Sequence, residues 1–274
     1  MSTSLELPLI LEPEALAELI NQPTNTPPIM IVDVGTPDNH VRGHVPGAIH
    51  LPYSRLVSGA PPAPGLMANR DQLEETFNWL GLTPETHVIA YDDDGGGQAG
   101  RLIWTLELIG HKNFSYLNGG LHAWVGEQLP LETEINQPTP GQYPFNWNMH
   151  VRATVDDIKN QLNEDDFVVW DARSPQEYTG EKALAKRNGH IPGAINCEWT
   201  NLLDTNRGLR IREDAKEYLA KCGFNDQQNI VTHCQAHRRS SLTYLVGKSL
   251  GFNIRGYDGS WGEWGNLDDT PIEE

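Results

Sequence analysis

The sequence predicts an α/β protein made of two homologous domains, each a parallel β-sheet covered by helices on both faces. The first observation behind this prediction is a repeat: GHVPGAI at residues 43–49 returns as GHIPGAI at residues 189–195. The second is that short apolar runs rich in β-branched residues alternate with amphipathic stretches in both halves. Apolar runs without polar alternation are typical of strands buried on both faces, as in parallel sheets flanked by helices.

Other landmarks repeat in the same order along the chain. Asp33 matches Asp171 at an offset of 138 residues, Gly119 matches Gly259 at an offset of 140, and the seven-residue segment is offset by 146. A nearly constant offset over most of a chain indicates two homologous domains. We therefore predict domains over residues 1–128 and 154–274. Residues 129–153 contain four prolines and show no helical or strand periodicity, so they are predicted to form a linker.

The elements of each half follow from the period of the apolar residues. In the first half, the predicted helices are 13–20, 69–80 and 98–109, and the predicted strands are 29–34 and 88–91. In the second half, the predicted helices are 154–162, 212–221 and 238–250, and the predicted strands are 167–171 and 230–233. Ligands of such sheets bind beyond the carboxyl ends of the strands, so the loops after Tyr91 and His233 are the candidate sites.

Composition and charge argue against several classes of protein. The chain has 274 residues, of which 38% are hydrophobic and 21% charged, as in globular proteins. Its 20 Lys and Arg against 37 Asp and Glu give a net charge of −17, which argues against partners such as nucleic acid or an anionic membrane. No apolar run approaches the ~18–20 residues of a membrane helix. Three cysteines and no Lys or Arg before Arg42 lead us to expect a cytoplasmic protein without a targeting segment.

The two loops that follow matching strands differ in their chemistry. Aligning residues 88–91 with 230–233 places Asp92 opposite Cys234. Cys234 heads a loop that runs directly into the predicted helix 238–250, so that backbone amides and the positive end of the helix would surround its thiol. No Asp or Glu occurs in residues 227–257, which predicts a local electropositive pocket. Such surroundings lower the pKa of a thiol from about 8.5 to roughly 3.5–7.5, and Cys234 is therefore the candidate nucleophile.

Several of these motifs together resemble the tandem-domain rhodaneses, a family of sulfurtransferases, in their bacterial type. They are the paired segments at 43–49 and 189–195, DARS at 171–174, the cysteine-headed loop, and GSWGEW at 259–264. The resemblance covers nearly the whole chain. It implies two rhodanese-like domains, of which the first has no catalytic cysteine.

The resemblance also implies an activity. Cys234 would take the sulfane sulfur of a small anionic donor, thiosulfate, as a persulfide and pass it to an acceptor, either cyanide or a thiol. No cofactor and no metal is implied. The substrate-binding residues carried over from the family are Gln235, Ala236, His237, Arg238 and Arg239.

The loop departs from the family in places. It is similar to a bacterial Cys-Gln-Thr-His-His-Arg-Ser variety, with Ala236 and Arg238 substituted. Animal members carry a second substrate-binding basic residue at a position occupied here by Glu177. The contributions of Arg173, Lys186 and Arg187 to substrate binding are left open by the sequence.

The sequence leaves two alternative functions open and disfavours two others. 3-Mercaptopyruvate sulfurtransferase is the alternative enzyme, and a persulfide carrier that delivers sulfur to a protein partner is the alternative class. A phosphatase is disfavoured because Cys-x4-Arg is one residue shorter than the Cys-x5-Arg of a phosphoryl site. A zinc site at His233, Cys234 and His237 lacks a second ligand pair.

The remaining conspicuous residues are expected to have structural roles. Asp171 and Arg173 are predicted to form an ion pair that shapes the domain. The expected packing and fold residues are Cys197, Cys222, His44, His190, Trp261 and Trp264.

Overall fold

The computed structural model describes residues 7–21 and 28–274. They fall into two compact units. The first contains the chain as far as Leu56, together with Ala68–Asn148 and Asp204–Arg210. The second contains Val57–Met67, Met149–Leu203 and Ile211–Glu274. Each unit thus includes a short segment from the other half of the chain.

The first unit is built on a five-stranded parallel sheet with the strand order β1-β5-β4-β2-β3. Its central strand, β4, pairs with β2 so that Tyr91 lies opposite Asp33 at the carboxyl end. The strands are β1 Ile10–Leu11, β2 Ile29–Asp33, β3 Ile49–His50, β4 His87–Tyr91 and β5 Phe114–Leu117.

The second unit repeats this arrangement with the order β6-β12-β11-β7-β8, again with all strands parallel. Here β11 is central, and His233 lies opposite Asp171. The strands are β6 Arg152–Ala153, β7 Phe167–Asp171, β8 Ile195–Asn196, β11 Asn229–His233 and β12 Asn253–Tyr257, while β9 Leu203–Asp204 and β10 Arg210–Ile211 form a separate pair. The prediction of two α/β domains with parallel sheets is confirmed.

Helices follow most of the strands. They are α1 Pro13–Ile20, α2 Pro37–Arg42, α3 Arg70–Leu80, α4 Gly97–Leu108, α5 Gly120–Gly126, α6 Val155–Gln161, α7 Pro175–Tyr178, α8 Ala215–Cys222, α9 Arg239–Ser249 and α10 Ser260–Trp264. Most predicted bounds lie within one residue of these. The start of α8 is an exception, because Arg212 is bound by Asp214 and by the carbonyl of Asn201 instead of entering the helix. Within residues 7–21 and 28–274, no helix is both long and apolar enough to cross a membrane.

Each unit has its own hydrophobic core between the sheet and its helices. In the second unit, Val169 and Val231 from the sheet pack with Trp261 and Trp264 of α10. Both tryptophans are buried, so their expected packing role is confirmed. Trp124 occupies the matching place in the core of the first unit, as the sequence repeat indicates.

The predicted linker, residues 129–153, follows the surface of the first unit for most of its length. Glu132 exchanges backbone hydrogen bonds with His44, and the amide of Gly141 donates to the carbonyl of Asn78. Tyr143 is buried. The stretch up to Asn148 belongs to the first unit, whereas residues 149–153 belong to the second and include β6.

One contact along this stretch is tight enough to test. Gly81 ends α3 at φ 75°, and a Cβ there would lie 2.1 Å from the carbonyl oxygen of Thr139. Gly47 has a similar φ of 79° but nothing within 4 Å of a Cβ. We expect Gly47→Ala to lower local stability by about 1–2 kcal/mol, the cost of a left-handed residue, and Gly81→Ala to lower it by clearly more because of the added clash.

Hydrogen–deuterium exchange of peptides from the first unit under native conditions measures both effects. Equal losses of protection in the two variants would show that residues 129–148 yield to the clash at no cost and are therefore loosely attached.

Candidate active site around Cys234

Cys234 follows the central strand of the second unit. Its side chain is buried, with 1% relative exposure. The loop that it heads leads into α9, which begins at Arg239. The parallel register ends with His233 opposite Asp171, so the loop lies at the carboxyl edge of the sheet, as predicted.

The groups around the Cys234 thiol favour its ionised form. Burial alone would raise the pKa of Cys234, but the positive charge of Arg239 opposes it most strongly, followed by hydrogen bonds from the Ser240 hydroxyl and from the amides of Ser240 and Ala236. The net result is a pKa below the ordinary value for a thiol. Cys234 is therefore a buried thiol held ready as a thiolate, which is the nucleophilic form.

Arg239 also forms an ion pair with a carboxylate. Its two terminal nitrogens donate to the two carboxylate oxygens of Glu177 at 2.7 and 2.8 Å. Glu177 is buried, but the hydrogen bonds and charge of Arg239 more than offset the burial and lower its pKa to about 2. The sequence predicted a local electropositive pocket; the structure adds a carboxylate to it, because α7 brings Glu177 from 62 residues away to the side of Arg239.

Ser240 is a further polar group at the thiol, and the sequence analysis missed it. The Nδ1 atom of His237 lies 2.8 Å from the Ser240 hydroxyl oxygen, and both residues are buried. His237 has a φ of 48°, in the left-handed region that residues with a side chain rarely adopt. A hydroxyl in the first turn of the helix after the cysteine is the signal that could have pointed to Ser240.

The segment GSWGEW at residues 259–264 holds the loop through hydrogen bonds to one of its side chains and from its backbone. The Ser260 hydroxyl accepts hydrogen bonds from the amides of Cys234 at 3.3 Å and His237 at 3.0 Å. The amide of Trp261 donates to the carbonyl of Cys234, and that of Gly262 to the carbonyl of Gln235, both at 2.9 Å. These bonds fix the path of the loop around the thiol.

Residues 57–67, which come from the first half of the chain, lie against this loop in the second unit. A Cβ on Gly65 would lie 2.2 Å from the carbonyl oxygen of Ala236. The amide of Met67 donates to the Asp258 carboxylate at 2.8 Å, which anchors the end of the segment beside β12. Glycine at position 65 thus permits a backbone contact that any side chain would prevent.

The other predicted substrate-binding residues occupy different places. The side-chain amide of Gln235 donates to the carbonyl of Leu184 at 3.1 Å, so this side chain is turned toward the 180–188 segment. Ala236 contributes its amide to the thiol. Arg238 is exposed at the start of α9.

The structure also places the residues whose contributions were left open. Arg173 forms the predicted ion pair with Asp171 at 2.6 Å and lies 4.3 Å from the Trp261 ring, so that prediction is confirmed. Arg187 donates to the carbonyls of Trp264 and Thr270. Lys186 is exposed. In the described part of the chain, no group of three or more His, Cys, Asp or Glu residues could hold a metal ion.

The matching loop of the first unit binds an anion of its own. The carboxylate of Asp92, at the position of Cys234, accepts four backbone hydrogen bonds of 2.8–3.1 Å, from Asp94, Gly96, Gln98 and Ala99. The same turn between strand and helix therefore surrounds a carboxylate in one unit and a thiol in the other. The shared feature of the two loops is a set of inward-pointing amides.

The other two cysteines have different surroundings. Burial, together with the adjacent Cys222 thiol, raises the pKa of Cys197 to about 12. Cys197 is buried, as expected of a packing residue, and Cys222 is half-buried at the end of α8.

Comparison with known proteins agrees with this geometry. The family model of the rhodanese-like domain matches residues 12–127 and 154–267. The chain belongs to the rhodanese family. The predicted family resemblance, with two such domains, is confirmed.

This rhodanese is similar over its whole length to two thiosulfate sulfurtransferases. It is 47% identical to that of Azotobacter vinelandii over 268 residues, which are 97% of each chain. It is 45% identical to that of Pseudomonas aeruginosa over 274 residues, all of both chains. The fold is also that of an anaerobic ergothioneine biosynthesis enzyme from Chlorobium limicola, with a TM-score of 0.85 at 22% identity, covering 97% of this chain and 70% of that one.

The surroundings of Cys234 predict its titration. Because its pKa is lowered, the thiolate persists at pH values where an ordinary thiol is protonated. We expect the ultraviolet absorbance of the thiolate, taken as the difference between the wild type and Cys234→Ser, to titrate below the usual range. In Arg239→Ala the midpoint is expected to move up, since the largest favourable charge is gone. An unmoved midpoint would show that the amides and Ser240 alone hold the thiolate.

Proposed function

We propose that this rhodanese is a thiosulfate sulfurtransferase that moves a sulfane sulfur from thiosulfate to cyanide or a thiol through a persulfide on Cys234. The observation that carries the proposal is the Cys234 thiol, whose pKa is lowered within a loop of amides beside a guanidinium. The full-length similarity to two thiosulfate sulfurtransferases supports the same donor.

In the first step, the Cys234 thiolate attacks the outer sulfur of thiosulfate. A sulfur–sulfur bond forms to the cysteine while the sulfur–sulfur bond of thiosulfate breaks, and sulfite leaves with the electron pair of that bond. Three negative charges meet in this step, two on the donor and one on the thiolate. The Arg239 guanidinium and the loop amides are the groups placed to stabilise that charge.

In the second step, an acceptor attacks the outer sulfur of the persulfide. With cyanide the product is thiocyanate, with a thiolate it is a new persulfide, and in both cases the Cys234 thiolate is released unchanged. The groups that stabilise the thiolate at the start also stabilise it as the leaving group. Because donor and acceptor never meet, the reaction is a double displacement.

We assign the first domain a structural role. Its loop has a carboxylate at the nucleophile position, and Asp92 already satisfies the amides that would otherwise receive an anion. A second contribution of this half is the 57–67 segment, whose Gly65 lies against Ala236 in the second unit.

We also place the reaction in the cytoplasm, with a protein thiol among its acceptors. All three cysteines are free. Cysteines stay in the free thiol form in reducing compartments, where both the nucleophile and a thiol acceptor are kept from forming disulfides.

The assignment of Cys234 is tested by replacing each cysteine separately. Cys234→Ser is expected to abolish sulfur transfer, because Cys234 is the thiol with a lowered pKa in the loop before α9. Cys197→Ser and Cys222→Ser are expected to retain it, because burial raises the pKa of Cys197 and Cys222 lies at the end of α8. Intact mass spectrometry after incubation with thiosulfate should show one added sulfur that cyanide removes. Turnover by Cys234→Ser, or a sulfur added elsewhere, would refute the mechanism.

The choice of donor is tested by Arg239→Ala. Thiosulfate carries two negative charges and 3-mercaptopyruvate one, so loss of the guanidinium should harm thiosulfate more. A charge-assisted hydrogen bond is worth about 1.5–3 kcal/mol, and we therefore expect kcat/KM for thiosulfate to fall by roughly one to two orders of magnitude. For 3-mercaptopyruvate the loss should be clearly smaller.

Arg238→Ala serves as the comparison, since it removes the same charge from the neighbouring, exposed position. Equal losses for both donors in Arg239→Ala would show that the backbone amides select the donor, and 3-mercaptopyruvate would then be an equal candidate.

A further inference from the structure

Glu177 is an unexpected neighbour for a site that binds anions. It is buried and ionised, and it binds the Arg239 guanidinium, whose charge lowers the pKa of the Cys234 thiol. A carboxylate in this place weakens the attraction of the pocket for a donor dianion. A bland interpretation is that Glu177 merely neutralises Arg239, which is half-buried.

The geometry points to a more specific role. Glu177 holds both terminal nitrogens of Arg239 at 2.7 and 2.8 Å, the paired arrangement that fixes the plane of a guanidinium as well as its position. The charge of Arg239 is also the strongest influence that lowers the pKa of Cys234. Because Glu177 holds both terminal nitrogens, the guanidinium keeps a fixed position relative to α7.

Glu177 is itself held firmly. Its Oε2 atom accepts from the Ser174 hydroxyl at 2.9 Å and from the Ser174 amide at 3.2 Å, which caps the first turn of α7. The Ser174 amide follows Arg173, which is bound to Asp171 at the end of β7. Contacts through α7 therefore connect the orientation of Arg239 to β7, the strand beside β11, which leads to Cys234.

We propose that Glu177 is a positioning residue of the sulfurtransferase reaction: it holds the Arg239 guanidinium near Cys234. There the guanidinium stabilises the Cys234 thiolate that attacks the donor and the Cys234 thiolate that is released by the acceptor. The inference rests on the proposed role of Cys234. Glu177 acts through Arg239 and contacts neither the donor nor the acceptor.

A positioning role and a simple charge effect of Glu177 predict opposite changes in the pKa of Cys234. Removing a negative charge from the neighbourhood of a thiol should by itself lower the pKa of the thiol. If Glu177 positions Arg239, its loss lets the long arginine side chain turn away, and the pKa of Cys234 rises instead. The titratable groups near Arg239 are His233 on β11 and, beside His233, the Asp171–Arg173 pair at the end of β7, and all of them are unchanged in such a variant.

Two variants separate geometry from charge. Glu177→Gln removes the charge but can still cap α7, because Gln also serves in a capping box. Glu177→Asp keeps the charge but is one methylene shorter and cannot reach both nitrogens from the same backbone. Glu181→Gln, an exposed neighbour on the following segment, is the matched control for loss of one negative charge.

The readouts are the thiolate titration of Cys234 and the kinetics with thiosulfate. We expect Glu177→Gln and Glu177→Asp both to raise the pKa of Cys234 and to lower kcat/KM for thiosulfate by about tenfold, a typical coupling for groups in contact. Glu181→Gln should change neither. In Arg239→Ala, the further change Glu177→Gln should neither raise the pKa of Cys234 again nor lower kcat/KM again, because no guanidinium is left to position.

A lowered or unchanged pKa of Cys234 in Glu177→Gln, with thiosulfate turnover retained, would overturn the proposal and leave Glu177 as a counter-ion. So would a Glu177→Asp variant that behaves as the wild type. If Glu177→Gln unfolds, as seen by circular dichroism, Glu177→Asp decides alone. Failure of the proposed function is a separate result, since it would appear as persulfide formation that does not need Cys234.

Discussion

A thiolate can be buried only where hydrogen-bond donors and positive charge replace the water that it loses, and the second unit of this rhodanese is arranged around that requirement. The amides of Ala236 and Ser240, the Ser240 hydroxyl and the Arg239 guanidinium supply the replacement at Cys234. The strand order sets where this can happen, because the central strand β11 delivers its last residue to the carboxyl edge of the sheet and α9 starts there.

The loop holds this form because its backbone is bound on several sides. The Ser260 hydroxyl accepts hydrogen bonds from two amides of the loop, and the amides of Trp261 and Gly262 donate hydrogen bonds to two of its carbonyls. The positive φ of His237 stays in place within this frame, as strained residues do when their surroundings over-determine them. Pre-organised donors stabilise a developing charge without having to move, which is the main physical advantage of a rigid loop over a flexible one.

The first unit shows the same frame with another solution. Its loop binds the Asp92 carboxylate through four amides, so the same turn surrounds an acidic side chain where the second unit has a thiol. The two loops thus differ in the residue that follows the central strand: the Asp92 side chain fills its own loop, whereas Cys234 provides a nucleophile. Duplication of a fold with an anion-binding turn is therefore compatible with one catalytic and one structural copy.

The two-domain α/β fold, most of its strands and helices, and the candidate nucleophile could all be predicted from the sequence. This was possible because these depend on local periodicity, on an internal repeat and on a cysteine placed between a strand and a helix, all of which are readable along the chain. The Asp171–Arg173 pair was predictable for the same reason, since its partners are two residues apart. The carboxylate in the pocket, the packing of Gly65 against Ala236 and the bonds to Ser260 became visible only in the folded chain. Each of these joins residues far apart in sequence, such as Glu177 and Arg239, and no local pattern encodes which distant side chain a fold brings to a given place.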